Sequence, residues 1–233
     1  GANLAHLHVW DEHGQLTQDT AAFQRTLALI RARCDIIIDG STGGGGALTP
    51  AQRPVSLGCD IELASLNPGS VNYDAGVYVN SPDDIAYWAQ EMRCRGIRPD
   101  VAVFDTGMIQ NAWGLVERGW LVTPLFFSFV LGQTGAQPAT ARQLLFLAES
   151  LPVGSLWGAA GHGGHDLPMS ALAICLGGHA RAGFEDNPDY AAGQRATSNA
   201  QLIERLARLA HEVGRPVATP AEARQMLGLT VRG

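Results

Sequence analysis

Lysine is absent from the 233-residue sequence, and all 16 cationic side chains are arginine. A Schiff base with a carbonyl substrate needs a lysine amine, so that mechanism is excluded within this chain. A metal pair bridged by a carbamylated lysine is excluded for the same reason. Activation of a carbonyl group must therefore come from a metal ion, from arginine or from backbone N–H groups.

Charge, long apolar runs and paired cysteines are also scarce. Only 16% of residues are charged and the net charge is −6, without a basic cluster, which argues against nucleic acid as a partner. The longest apolar runs, such as Leu125–Leu131, are far shorter than the ~20 residues that cross a bilayer, so no membrane is expected. The four cysteines form no CxxC motif, which predicts reduced, buried thiols in a cytoplasmic protein.

Apolar strand-like stretches alternate with helical patterns along the whole sequence, and this alternation predicts an α/β fold with a parallel sheet. An open doubly wound sheet and a closed barrel both satisfy it. We favour the (β/α)8 barrel, because polar residues follow nearly every strand and a barrel gathers those ends on one face. Residues 1–233 then form a single domain with a helical tail from about residue 214. The seven predicted strands are Asn3–Val9, Cys34–Ile38, Ile61–Leu66, Asp100–Phe104, Leu125–Val130, Gly154–Ala159 and His179–Phe184.

The clearest chemical signal is the His6-Leu7-His8 motif in the first predicted strand. Residues two apart in a strand share a face, so both imidazoles point into the interior and need a polar partner. A divalent metal is one such partner, and neighbouring carboxylates are the other. Glu185 and Asp186 follow the last strand close to Arg181, and a carboxylate there would complete a catalytic metal site with open positions. Zinc and non-haem iron(II) both fit this set.

Two loops are further candidates for ligand binding. The glycine-rich segment Ser41–Gly46 follows a strand and suits an anion, although a flexible turn explains it equally well. His162 and His165 lie in a second glycine-rich loop and could bind substrate or cofactor. Asp105 ends a strand, and we predict that it caps the following helix.

The sequence resembles the β-keto acid cleavage enzymes over nearly its whole length. The resemblance implies a (β/α)8 barrel, one catalytic zinc per chain and a homotetramer. It also implies a reaction of a β-keto acid with acetyl-CoA, as co-substrate, to give acetoacetate and a new acyl-CoA. The stretches that carry it are, in family order, HLHVWDEHGQLT, STGGGG, ASLNPGSVNY, VYVNSPDDI, VFDTGM, PLFFSFVLG, GHGGHDLPMSALAICLGGHARAGFEDN and RPVATPAEAR.

The same resemblance assigns roles to individual residues. His6, His8 and Glu185 match the zinc ligands of the family. Asp186 matches the general base that removes a proton from the α-carbon of the keto acid. Arg181 matches the arginine that assists this base and stabilises the transition state.

Substrate recognition is assigned in the same way. Ser41, Thr42, Gly43 and Ser65 fall where the family holds the carboxylate and carbonyl region of the substrate. Ala102 stands where many members carry a glutamate that recognises an ammonium group. The resemblance therefore implies an uncharged or apolar acyl side chain rather than an amino one.

One part of the family pattern is missing, because members carry a further strand and helix before the HxH strand. We therefore expect the sequence to be a fragment of a longer chain. Two other functions compete with the family reaction. One is a mononuclear metal hydrolase of the amidohydrolase type, and the other is a catalytically silent barrel that binds metal and acyl compounds.

Overall fold

The computed structural model describes residues 1–15, 17, 19–43, 53–73 and 76–229. The strands in these ranges are β1 Leu4–Leu7, β2 Ile37–Gly40, β3 Leu63–Leu66, β4 Val71–Tyr73, β5 Gly76–Tyr78, β6 Arg98–Val103, β7 Phe126–Leu131, β8 Leu156–Gly161, β9 His179–Ala180, β10 Asp189–Ala191 and β11 Gln194–Arg195. The α-helices are α1 Thr20–Arg31, α2 Pro82–Cys94, α3 Thr106–Glu117, α4 Ala141–Glu149, α5 Asp166–Cys175, α6 Asn199–Glu212 and α7 Pro220–Leu227.

Seven of these strands form one parallel sheet in the order β1-β2-β3-β6-β7-β8-β9. The prediction of seven parallel strands alternating with helices is confirmed. The sheet curls, since His8 just beyond β1 lies 3.3 Å from Glu185 beyond β9, measured from Nε2 to Oε1. This is a barrel-like α/β arrangement, whereas the additional strand and helix that complete eight units stay a prediction.

The last predicted strand is wrong in length. It was expected over His179–Phe184, but β9 comprises only His179 and Ala180. Backbone hydrogen bonding to β8 ends with the Arg181 amide, which donates to the Ala159 carbonyl. The following residues turn so that the amides of Asp186 and Asn187 donate to the Gly183 carbonyl. Apolar character alone does not show where a neighbouring strand stops offering hydrogen bonds.

The outer face of the sheet is covered by helices whose apolar side chains form the main core. Trp88 and Met92 of α2 and Phe127 and Phe129 of β7 are fully buried there. Helix α3 begins after Asp105, whose side chain accepts hydrogen bonds from the amides of residues 107 and 108. The predicted cap is therefore confirmed. A cap also keeps that carboxylate out of the sheet interior.

Helix α7 lies within the helical tail expected from about residue 214, and it packs against the amino ends of the first strands. Ala223 contacts the buried side chains of Ile37 and Leu63. Arg224 is 2% exposed and donates to Glu62 Oε1 at 2.5 Å and to both oxygens of Asp35 at 2.8 Å. The tail thus closes the side of the sheet opposite to the strand carboxyl ends.

The cysteines are unpaired, but the prediction that they are buried is wrong. Cys34, Cys94 and Cys175 are exposed, and Cys59 is half-buried. Cys94 and Cys175 are the last residues of their helices, where side chains leave the packed face. In the part of the chain that the structure describes, every helix is too short or too polar to cross a lipid bilayer.

Candidate active site

A cavity opens at the carboxyl ends of the parallel strands, as expected for a barrel-like α/β fold. Its wall combines charged, polar and apolar sectors from different strands. The residues that line it are His6, His8, Ser41, Gly43, Ser65, Asn67, Tyr78, Asp100, Ala102, Phe104, Ser128, Val130, Gln133, His162, Arg181, Glu185 and Asp186.

Two histidines and one glutamate converge in this cavity. One donor atom from each of His6, His8 and Glu185 lies within 4.8 Å of the other two. Glu185 Oε1 is 3.3 Å from His8 Nε2 and 3.9 Å from His6 Nε2. The side chains that the sequence singled out as metal ligands are therefore brought together, from opposite edges of the sheet.

His6 is oriented by a buried carboxylate that was not expected from the sequence. Its Nδ1 lies 2.5 Å from Oδ2 of Asp39, its register partner on β2, which is completely buried. Burial alone would lower the pKa of His6, but the Asp39 carboxylate outweighs burial and raises it. An Nδ1–H donated to Asp39 leaves the Nε2 lone pair available, which is the tautomer that a metal-binding histidine needs.

Arg181 links the two adjacent carboxylates. Its Nε and Nη2 donate to Asp186 at 2.9 and 3.2 Å, and Nη2 also lies 3.0 Å from Glu185 Oε1. Although burial opposes ionisation, hydrogen bonding to His8 and the charge of Arg181 hold the pKa of Glu185 well below its usual range. Burial likewise disfavours the Arg181 cation, but Asp186 and Glu185 raise the pKa of Arg181. Both groups are therefore ionised at neutral pH.

The described part of the glycine-rich segment, residues 41–43, differs in detail from the expected anion-binding loop. Ser41, Gly43 and Ser65 line the cavity, whereas Thr42 is completely buried behind them. The Thr42 amide donates to Ser65 Oγ at 3.0 Å, and its hydroxyl donates to the Ser65 carbonyl at 2.6 Å. The Gly43 amide donates to Ser41 Oγ at 2.9 Å. These two amides are used within the protein, and Gly44–Gly46 lie outside the described residues.

Sequence reasoning missed the Asp100 carboxylate of the cavity wall. Asp100 and Ala102 on β6 and Ser128 on β7 point into the cavity at alternate strand positions. Burial, together with the charge of Asp39, raises the pKa of the Asp100 carboxyl to about 7. The alternation of inward-facing residues could have identified these positions.

The second glycine-rich loop contributes one of its two histidines. His162 lines the cavity, with Nε2 3.6 Å from Asp186 Oδ1. His165 ends a short 3-10 helix and is exposed. The side chain of Asn67 and the hydroxyl of Tyr78 meet at 3.3 Å on another part of the wall.

Comparison with known proteins identifies a matching family and several relatives of this chain. The family described as beta-keto acid cleavage enzyme matches residues 1–229. The 3-keto-5-aminohexanoate cleavage enzyme of Fusobacterium nucleatum is 43% identical over 231 residues, covering 98% of this chain and 84% of that protein. The 3-oxoadipate:acetyl-CoA acetyltransferase of Cupriavidus necator is 37% identical over 232 residues, covering 98% and 82%.

Among solved structures, the fold is similar to apo ObcA, with a TM-score of 0.85 at 21% sequence identity. The match covers 99% of this chain and 62% of the ObcA chain, which is therefore considerably longer. At this level of identity the likeness concerns the fold.

Proposed function

The chain belongs to the β-keto acid cleavage enzyme family, and from that premise we propose that it converts a β-keto acid and acetyl-CoA into acetoacetate and a new acyl-CoA. The observation that carries the proposal is the Arg181-bound Asp186 carboxylate beside the His6, His8 and Glu185 cluster, all in one cavity. Carbanion chemistry needs such a base next to a site that stabilises negative charge.

We propose that His6, His8 and Glu185 hold one zinc ion per chain. Three protein ligands from two histidines and a carboxylate leave coordination positions open, as in catalytic zinc sites. The carboxylate behind His6 is the outer partner that metal-binding histidines usually have. When bound, zinc would supply Lewis acidity toward the ketone and carboxylate oxygens of the substrate.

Asp186 and Arg181 then have separate roles, the first in proton transfer and the second in stabilising charge. Asp186 accepts the proton from the α-carbon of the keto acid, between its ketone and its carboxylate. Arg181 faces Asp186 and Glu185 together, so it holds the base in place and keeps a positive charge beside the developing enolate. The carbanion adds to the acetyl thioester carbonyl. Collapse of this adduct breaks the acetyl C–S bond and releases the CoA thiolate. The thiolate adds to the original ketone carbon, and the bond between that carbon and the α-carbon breaks to give the new acyl-CoA. The α-carbon takes back the proton held by Asp186 and becomes part of acetoacetate.

Ser41, Gly43 and Ser65 are proposed to bind the carboxylate and carbonyl region of the substrate. Their position on the cavity wall supports this assignment. For Thr42 we propose a different role from the direct contact expected at first. Its two hydrogen bonds to Ser65 fix the orientation of that serine without reaching the cavity.

The competing functions have less support. An amidohydrolase-type site recruits further histidines, yet within the described ranges the metal-binding cluster comprises only His6, His8 and Glu185. A silent binder would not need Asp186 to be held by two hydrogen bonds from Arg181. By family resemblance we also propose a homotetramer of single-domain barrels, and from the cysteine pattern a cytoplasmic location.

The function is tested by incubating the zinc-loaded, full-length protein with acetyl-CoA and a panel of β-keto acids. With 3-oxohexanoate we expect equal amounts of acetoacetate and butyryl-CoA, measured by liquid chromatography and mass spectrometry. Formation of neither product from any β-keto acid would reject the proposal. Substrate hydrolysis without acetyl-CoA would instead favour the hydrolase.

The apolar sector of the cavity predicts the kind of acyl group. Ala102, Phe104 and Val130 line the cavity, and none of them carries a negative charge that could form an ion pair with an ammonium group. Burying an ammonium group there without a partner costs free energy. We therefore expect kcat/KM for 3-oxohexanoate to exceed that for its 5-amino analogue by at least about tenfold. Ala102→Glu should lower the ratio of these two kcat/KM values. A wild-type preference for the amino compound would contradict the prediction of an uncharged acyl group.

A further inference from the structure

The carboxylates of Glu185 and Asp186 lie on a turn and not on a strand. Strand β9 ends at Ala180, five positions before Glu185. No strand pairing therefore fixes the backbone at Glu185 and Asp186. A base that must meet a substrate carbon within a fraction of an ångström needs another support.

That support comes from three side chains: the buried Asp166 and Asn187, and the partly buried Arg205. Asn187 follows the base directly and donates from Nδ2 to Asp166 Oδ1 at 2.9 Å. The other oxygen of Asp166 accepts from Arg205 Nη2 at 3.1 Å. Asp166 is the first residue of α5 and Arg205 lies in α6, so the turn is tied to two helices.

Both the nitrogen and the oxygen of the Asn187 side-chain amide form hydrogen bonds. Besides Asp166, its Nδ2 donates to the Asp189 carbonyl at 3.1 Å, and its Oδ1 accepts from the Asp189 amide at 3.1 Å. Asp166 and Asn187 are each 5% exposed. An aspartate at position 187 would put a second carboxylate against Asp166, so the position specifically requires an amide.

Backbone atoms of the turn also form hydrogen bonds to neighbouring segments. The Gly163 amide donates to the Asp186 carbonyl at 3.0 Å, and Asn199 Oδ1 accepts from the Phe184 amide at 2.8 Å. Arg205 also donates to the Tyr190 carbonyl and lies 4.5 Å from the Tyr190 ring centre, which joins the β10–β11 hairpin to the same group.

We propose that Asp166, Asn187 and Arg205 form a brace of positioning residues that aims the Asp186 carboxylate at the substrate α-carbon. The catalytic part of this inference rests on the proposed function, in which Asp186 is the base. The mechanical part, that the brace fixes the turn 183–187, is independent of the reaction. The two parts are measured separately.

Hydrogen–deuterium exchange tests the mechanical part in the unliganded protein. In Asn187→Ala and Asn187→Asp we expect amides of residues 183–187 to exchange about tenfold faster, because three side-chain hydrogen bonds are lost in the alanine variant and two in the aspartate variant. Unchanged exchange in this segment would overturn the brace, whatever happens to activity.

Steady-state kinetics test the catalytic part. The same variants should lose on the order of 100-fold in kcat with little change in KM, because the base is misplaced and the substrate contacts remain. The double variant Asp166→Asn with Asn187→Asp exchanges the two groups, so that an amide donor again faces a carboxylate acceptor. Its kcat should exceed that of Asn187→Asp by at least about tenfold. Accelerated exchange with full kcat would overturn the aiming role.

The Arg224–Glu62 pair offers a matched control, because it is also a buried arginine–carboxylate pair but lies at the other end of the strands. Arg224→Met should lower the melting temperature while leaving both kcat and exchange in residues 183–187 unchanged. If the wild-type protein forms no acetoacetate, the proposed function fails and the exchange result still decides whether the brace holds the turn.

Discussion

Asp186→Asn is expected to lower kcat for acetoacetate formation by about 10²- to 10⁴-fold, the usual contribution of a general base. An amide keeps the size of the side chain and can still accept one hydrogen bond from Arg181, but it cannot accept the substrate proton. Asp186 is not part of the His6, His8 and Glu185 cluster, so zinc should stay stoichiometric. Kinetics and metal analysis on one preparation separate these effects.

Asp105→Asn is the control for this change, because Asp105 is another carboxylate just beyond a strand. It caps α3, does not line the cavity, and asparagine caps helices as well as aspartate. We expect wild-type kcat in that variant. If Asp186→Asn kept kcat within about tenfold of wild type, the proton would have to go elsewhere. His162, 3.6 Å from Asp186, would be the next residue to test.

His8→Ala is expected to weaken zinc binding at least about 100-fold, since losing even an outer partner of a ligand costs 10–100-fold. His8 is one of three converging donors, and its removal leaves His6 and Glu185 alone. Zinc content after dialysis against a competing chelator, followed by activity with added zinc, measures the effect. Activity should fall with the metal content.

His13→Ala is the matched histidine control, because the His13 side chain is 78% exposed and is not among the cluster residues. It should keep both zinc and activity. Full zinc occupancy in His8→Ala would contradict the proposed ligand set. If the wild-type protein contained iron instead of zinc, the proposed ligands would stand and only the identity of the metal would change.

The parts of the molecule that could be predicted are those with a local signal. Alternating apolar strands and helices gave the parallel sheet, and the two-residue spacing of His6 and His8 gave their shared face. Asp105 was recognised as a cap because it immediately precedes a helical pattern. Each of these features depends on neighbours within a few positions of the sequence.

The remaining features depend on distant partners, which leave little local trace. Asp39 was not singled out, because its role comes from facing His6 across a strand pair, 33 positions away. Thr42 looked like a substrate contact, yet a hydrogen bond to Ser65 turns it inward. The hairpins β4–β5 and β10–β11 have strands of only two or three residues, too short for a periodic pattern.

The contact between α7 and the first strands has a consequence for how the protein is made. Arg224 pairs with Glu62, which precedes it by 162 positions. At ordinary ribosomal speeds of about 5–20 residues per second, roughly 10 to 30 s pass between the synthesis of these two residues. Strand β1, which carries His6, therefore emerges well before the helix that covers the amino ends of the first strands. The side of the sheet opposite to the cavity therefore stays uncovered until α7 has been synthesised.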